Sequence, residues 1–196
     1  MSRKIKLLIF ILMASLMSCQ YDVIDVYNDG KIYSLREKGP AGGWIFYENP
    51  NWKTDGWRYL EAAPEDSPVL CMWLSTSTWL NTDLATGGTL LSIGSGKNNT
   101  AKMLQYKGVR TAPAAEYCDS LVVNGYNDWF LPSSYELNQM DLNLSAYGIG
   151  GFSIATYFSS SEMDAGSAAI RNFLSGIPSG TSSKNAPQKI RAVRAF

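Results

Sequence analysis

Hydrophobic spacing divides the chain into an apolar leader, a polar stretch without period, and an aromatic-rich body whose period shifts from two to nearly four and back. Residues 44–47 (Trp-Ile-Phe-Tyr) are aromatic and β-branched and predict a strand. A turn at Asn49, Pro50 and Asn51 leads to residues 57–62, which alternate large and polar side chains, so the two segments are expected to pair as a hairpin. Residues 65–96 carry Pro, Ser, Thr and Gly with Cys71, Trp73 and Trp79 as anchors, a pattern that predicts long packed loops. Residues 100–107 predict a short helix with Met103 and Leu104 inward. Ala114, Cys118 and Leu121 stand at i, i+4 and i+7 on a second helix, with Pro113 in its first turn. Ser133 and Glu136 fit a capping box that opens a third, whose buried stripe is Leu137, Met140 and Leu144. Beyond Gly148 to Gly151, strand-like pieces at 156–160, 169–174 and 189–195 alternate with Gly, Ser, Pro and Asn. The class expected is α+β, with small antiparallel sheets, two or three short helices and long packed loops.

The first eighteen residues read as a leader rather than as part of this body. Arg3, Lys4 and Lys6 form a positive start, and residues 7–16 are an apolar run too short to span a bilayer comfortably. Leu16, Met17 and Ser18 precede Cys19 in the manner of a lipobox, so cleavage is expected before Cys19 and acylation on its thiol. Two or three acyl chains hold a protein on a membrane far more firmly than one. The organisation expected is a signal peptide at 1–18, a lipidated Cys19 and tether at 19–38, and a single domain at 39–196. The localisation that follows is the cell envelope, with the outer membrane or cell surface favoured.

Composition narrows the chemistry. With 45% hydrophobic residues, 6 Trp and 11 Tyr, a real core can be buried. Lys and Arg balance Asp and Glu at 17 each, so removing the three cations of the leader leaves the remainder about three charges negative, with nothing basic to grip nucleic acid. The chain has no histidine, which removes His-activated nucleophiles, His metal ligands and the usual general base near neutral pH.

A series of phrases along the body resembles a known family. It runs through Gly39-Pro40-Ala41-Gly42-Gly43, Trp57-Arg58-Tyr59-Leu60-Glu61-Ala62-Ala63-Pro64 and Gly94-Ser95-Gly96-Lys97-Asn98-Asn99-Thr100-Ala101. It continues with Asn124-Gly125-Tyr126-Asn127-Asp128-Trp129-Phe130-Leu131-Pro132-Ser133, Ser159-Ser160-Ser161-Glu162 and Arg191-Ala192-Val193-Arg194-Ala195-Phe196. In these the chain resembles the Lcl C-terminal domain family, named for a Legionella collagen-like protein. The resemblance covers residues 39–196 and implies a C-type lectin-like fold, similar to the formylglycine-generating enzyme group, with the first strand paired to the last. Fold analogy does not by itself assign a function.

Each candidate site also admits a plain structural role. Asn127, Asp128 and Trp129 invite comparison with a calcium motif, since Asn and Asp oxygens suit a hard cation, but the order differs and no partner motif exists. No metal and no cofactor is expected. The enzyme relatives use a reactive cysteine pair near the C-terminus, whereas Cys71 and Cys118 are distant in sequence and no cysteine follows. Those two are expected either as a disulfide, given export through oxidising space, or as two buried thiols. Gly94 to Lys97 resembles a phosphate loop, but the earlier Gly is missing and Asn98 stands where Ser or Thr is needed. Glu65, Asp66 and Asp119 are scattered carboxylates and make no acid/base pair. No catalytic set can be named, and the chain is read as a non-enzyme.

The region left as a ligand face is 163–188, where family-like positions frame small, unpatterned residues. The resemblance implies that such segments are exposed in this fold and, in some members, diversified by retroelements. Met163, Asp164, Ser167, Ile170, Arg171, Leu174, Ile177, Ser179 and Gln188 are the candidate contacts. The expected function is a lipid-anchored binding module for a protein or glycan. A structural envelope lipoprotein without a small ligand is the alternative, and an enzyme of the formylglycine group comes third.

Overall fold

Strand β1 (Trp44–Glu48) and strand β2 (Tyr59–Ala62) form the expected antiparallel hairpin, in a computed structural model that describes residues 30–76, 89–105, 110–173 and 180–196. The chain divides into a unit of Met1–Ile32 with Phe196 and a unit of Tyr33–Ala195, to which all elements below belong. Cys19 and Trp79 lie outside the described residues. Among the described residues, no helix is long and apolar enough to cross a membrane.

The hairpin loop contains a one-turn helix, α1 (Trp52–Asp55), which Gly56 ends in the left-handed region. Asn49 shapes this loop from inside: its side-chain amide donates to Asp55 and to the Trp57 carbonyl, and its Oδ1 accepts from the Asn51 N–H. The last strand, β8 (Val193–Ala195), pairs with β2 and not with β1, so the sheet order is β1-β2-β8. That corrects the expectation that the first strand joins the last. The physical reason is burial: all four β2 residues are buried and belong at the centre, whereas the free side of β1 is taken by residues 36–38. Arg36 donates its N–H to the Ile45 carbonyl, and Ile45 returns an N–H to Glu37. With Tyr33 buried as well, the folded unit begins six residues before the boundary expected at Gly39.

A second antiparallel sheet has the order β5-β6-β7, from β5 (Thr156–Glu162), β6 (Ser167–Asn172) and β7 (Gly180–Ser183). Strands β3 (Ser75–Thr76) and β4 (Arg110–Thr111) make a two-residue ribbon. In the chain between β2 and β5 come α2 (Gly96–Leu104), α3 (Pro113–Ser120) and α4 (Ser134–Asn143). The chain is therefore α+β, as the pattern predicts. Helix α2 starts four residues earlier than expected, with Met103 buried, and the predicted capping box of α4 is present in full.

The C-terminal segment threads the middle of the unit. Ala192, Ile190 and Gln188 accept N–H groups from Ala63, Ser67 and Cys71 on one side. Lys189 exchanges bonds with Thr156 and Phe158, and Val193 with Phe130, on the other. Two apolar cores flank this seam. Tyr157 packs with Phe46, Leu60, Phe130, Leu137, Met140 and Val193, while its neighbour Phe158 points to the opposite face with Trp73, Leu74, Met103, Cys118 and Ile190. The period of two along β5 thus divides the interior.

Glu136 ties α2 to α4. Its carboxylate accepts N–H groups from Gly94 (2.8 Å), Gly96 (3.3 Å) and Ser133 (2.7 Å), closing the capping box and holding the start of α2. Burial pushes its pKa up to about 7, against the pull of these N–H donors. A Cβ at Gly96 would sit 2.2 Å from this carboxylate, 2.8 Å from the Phe130 ring and 2.9 Å from the Ser133 nitrogen.

Gly96→Ala is therefore expected to destabilise the protein by about 1–3 kcal/mol in urea unfolding, whereas Gly166→Ala, whose Cβ meets nothing nearer than 3.7 Å, stays within about 0.5 kcal/mol. The raised pKa of Glu136 gives a signed pH dependence. Its contribution is full below the ordinary carboxylate range and is lost as pH rises through about 7. Urea midpoints compared between pH 5 and 8 are expected to fall more steeply for the parent than for Glu136→Gln, which removes the titration.

Candidate functional site

The motif residues that look most like chemistry are spent inside the fold. Glu61, fully buried on β2, accepts N–H groups from Gly43 (2.7 Å) and Ala41 (3.3 Å), so the Gly39–Gly43 turn is a cradle for its carboxylate. Gly is required there because a Cβ at Gly43 would lie 2.0 Å from the Ala62 carbonyl oxygen and one at Gly39 2.4 Å from the Glu61 carboxyl carbon. Opposite in the ladder, Arg194 donates to Glu61 (3.2 Å) and pairs two-pronged with Asp128 at 2.8 and 3.0 Å. Its guanidinium also lies 4.1 Å from the centre of the Tyr126 ring. Burial raises the Glu61 pKa against the pull of Gly43, Ala41 and Arg194. For Arg194 burial works against the charge, and Asp128 and Glu61 more than offset it. Asn124 closes the arrangement by donating to the Ala41 carbonyl.

Asp128 is thus a guanidinium partner and Trp129 a core residue whose indole donates to the Tyr126 carbonyl. Among the described residues, no group of three or more Cys, Asp or Glu side chains is placed to hold a metal ion. A second buried arginine repeats the design. Arg191 donates to Asp66 at 2.7 Å and to the carbonyls of Ala63 and Gly150, and it stacks 4.1 Å from the Phe152 ring centre. The second oxygen of Asp66 accepts from the Tyr157 hydroxyl at 2.6 Å and from Ser153. Burial first, and Asp66 second, raise the Tyr157 pKa, so this hydroxyl stays protonated. Asp66 is occupied on both oxygens and has no lone pair aimed at a substrate.

The remaining phrases behave alike. Thr100 donates to the Gly96 carbonyl and accepts from the Leu131 N–H, and Asn99 donates to Leu90 and Ser160, so the phosphate-loop lookalike is a helix start bound to the core. Ser159, Ser160 and Ser161 are buried and bonded to Ala169, Asn99 and Leu90. Glu162 pairs with Lys184, which also donates to the Ala165 carbonyl and lies 4.8 Å from the Trp73 ring centre. Cys71 and Cys118 are both free, buried thiols, so no bond joins them in this structure.

What stays open is the end of the second sheet. Met163 is 49% exposed at the tip of the β5–β6 hairpin, Thr181 and Ser183 are exposed on β7, and Asn185 is exposed in the turn after it. The tip is built rigidly. Asp164 accepts from the N–H groups of Gly166 and Ser167 and from the Ser167 hydroxyl, which lowers its pKa through Ser167 first and the backbone donors after. Lys184 holds the same turn from within.

The candidate contacts therefore separate. Met163, Asp164 and Ser167 come together at the tip, and Gln188 lies across from Ser182, to whose hydroxyl its amide donates. Ile170, partly buried, packs against the core that contains Trp73, and Arg171, partly exposed, is paired with Asp141 of α4 at 2.8 Å. Leu174, Ile177 and Ser179 lie outside the described residues. Sequence reasoning missed Thr181, Ser183 and Asp141. Gly-Thr-Ser-Ser has no hydrophobic period, and no local signal links Asp141 to a strand thirty residues on.

Removing Arg194 would leave Glu61 buried without its charge partner, so Arg194→Ala is expected to cost about 3–5 kcal/mol in chemical denaturation. Asp128→Asn, at the more exposed end, is expected to cost less, about 1.5–3 kcal/mol. Calcium added to the parent is expected to leave its melting temperature unchanged in a thermal scan, because both Asp128 oxygens accept from Arg194.

Neither a family model nor a curated protein matches this chain. Among solved structures, a fimbrial protein from Bacteroides ovatus is similar over 77% of this chain and 39% of its own, at 16% identity and a TM-score of 0.47.

Proposed function

We propose that the chain is a bacterial lipoprotein, anchored to a membrane of the cell envelope through Cys19, that displays a C-type lectin-like binding module for a protein or glycan ligand. The observation that carries this reading is a division of labour among polar residues. Glu61, Asp66, Asp128, Arg191 and Arg194 are consumed by one another and by backbone groups, so the side chains best suited to chemistry are structural. The exposed tip and β7 edge offer an apolar side chain, hydroxyls and an amide on a rigid support. Such an arrangement suits recognition rather than catalysis.

The binding surface in this reading is centred on Met163, with Ser183 and Asn185 beside it and Gln188 at its border. Ile170 and Arg171 support the sheet. The leader supplies the address, and Cys19 the anchor.

Full-length protein in detergent, screened on arrays of glycans and extracellular proteins, is expected to bind at least one class saturably and without need of calcium. Met163→Ala combined with Asn185→Ala should weaken that binding about tenfold or more with the melting temperature unchanged. Absence of any binding would favour a structural envelope lipoprotein, and loss of binding on chelation would overturn the metal-free site. Palmitate incorporation that disappears in Cys19→Ser tests the anchor separately.

A further inference from the structure

Among the described residues, Cys71 and Cys118 are free buried thiols, and they lie in the same core. Cys71 sits on the segment that bonds to Gln188, and Cys118 lies on the inner face of α3, one turn beyond Ala114. The Ala114 N–H donates to the carbonyl of Met72 at 3.1 Å, so the first turn of α3 is docked on the residue next to Cys71. Both cysteines pack in the cluster that contains Trp73, Met103 and Ile190. The charge of one thiolate would be felt by the other, since Cys71 contributes to the rise in the Cys118 pKa after burial itself.

The geometry points to Cys71 and Cys118 as the two ends of an intramolecular disulfide, formed when the exported chain meets a disulfide-bearing oxidant. The held partners of Cys71 are weak ones, the Ser67 hydroxyl at 3.7 Å and the Val69 carbonyl at 3.8 Å, so turning the thiol toward α3 forfeits little. Access is one-sided. Cys71 retains 5% exposure beside the exposed Val69 and Leu70, whereas Cys118 has none. Cys71 is therefore the entry thiol and Cys118 the resolving one.

The exchange balances in two steps. The Cys71 thiolate attacks one sulfur of the oxidant, a protein–oxidant mixed disulfide forms, and one oxidant thiolate leaves. Cys118 then gives its proton to the oxidant thiolate released in the first step and, as thiolate, attacks the Cys71 sulfur, expelling the second thiolate. Two protein thiols are oxidised, one oxidant disulfide is reduced to two thiols, and the protons end on those thiols. The product would tie the flank of the C-terminal seam to α3, two elements already in register.

The inference rests on the export part of the proposed function, and its test is made on purified protein so that the two can fail separately. Full-length Cys19→Ser protein is incubated natively with oxidised glutathione and read by intact mass, peptide mapping and thermal melting. The expected product has lost two hydrogens, carries no adduct, yields a Cys71–Cys118 linked peptide and melts higher than the reduced form. Cys19→Ser/Cys118→Ser protein is expected to stop at a glutathione adduct on Cys71. A persistent adduct on the protein that retains both thiols, disulfide-linked dimers, or two unmodified thiols after prolonged oxidation would each overturn the pairing. Palmitate labelling of Cys19 decides the export reading whatever the outcome.

Discussion

Two guanidinium groups buried three residues apart in one C-terminal segment constrain everything else in this unit. A buried charge is tolerated only when paired and fully hydrogen-bonded, and a segment carrying two of them must be surrounded by acceptors on every side. Arg191 draws in Asp66, the Ala63 and Gly150 carbonyls and the Phe152 ring, and Arg194 draws in Asp128, Glu61 and the Tyr126 ring. Those partners come from three regions far apart in sequence, 61–66, 126–128 and 150–152. The arginines are better understood as specifying which segments meet than as adding net stability, since well-packed apolar residues of the same volume commonly do as well energetically. The glycine turn at 39–43 belongs to the same constraint, because Glu61 can be charged there only if the backbone supplies donors at close range.

Interactions that close within a few residues were legible in the sequence, and those that close across the chain were not. The hairpin of β1 and β2 follows from strand periods flanking a turn, and the capping box of Ser133 and Glu136 needs only three residues. The reach of Glu136 beyond that box, to Gly94 and Gly96, is invisible locally, as is the pairing of β8 with β2. Glu61 reads as the outward member of an alternating strand, and its burial becomes intelligible only once Arg194 lies opposite. Residues 33–38 read as tether because they lack a period; what they contribute is backbone hydrogen bonding to β1, which no side-chain pattern reports.

The candidate site shows the same limit from the other direction. The phrases that carry the family resemblance are conspicuous as sequence, and they turn out to be the interior wiring. Ser159 to Ser161, Asn99, Thr100 and Asp128 all have their bonding capacity directed inward. The exposed surface around Met163 has no signature because small polar residues in a turn look alike whether or not they bind anything. Ile170 and Arg171 carry structural contacts that composition does not report: one packs, partly buried, against an apolar core and the other pairs with Asp141.

That inversion bears on how a surface can recognise a partner without a sequence motif. Ordering a loop on binding costs conformational entropy, and a loop already ordered avoids most of that cost. The β5–β6 tip is ordered from both sides, by the Asp164 turn outside and by Lys184 against Glu162, the Ala165 carbonyl and Trp73 within. None of those bonds involves the side chains of Met163 or Asn185. Met163 can therefore change without touching that support, whereas the Asn185 carboxamide oxygen accepts from the Ser183 hydroxyl at 2.6 Å, a bond within the exposed turn itself. Under the proposed reading, a face built on such a support is free to change its ligand while the interior wiring keeps a single fold.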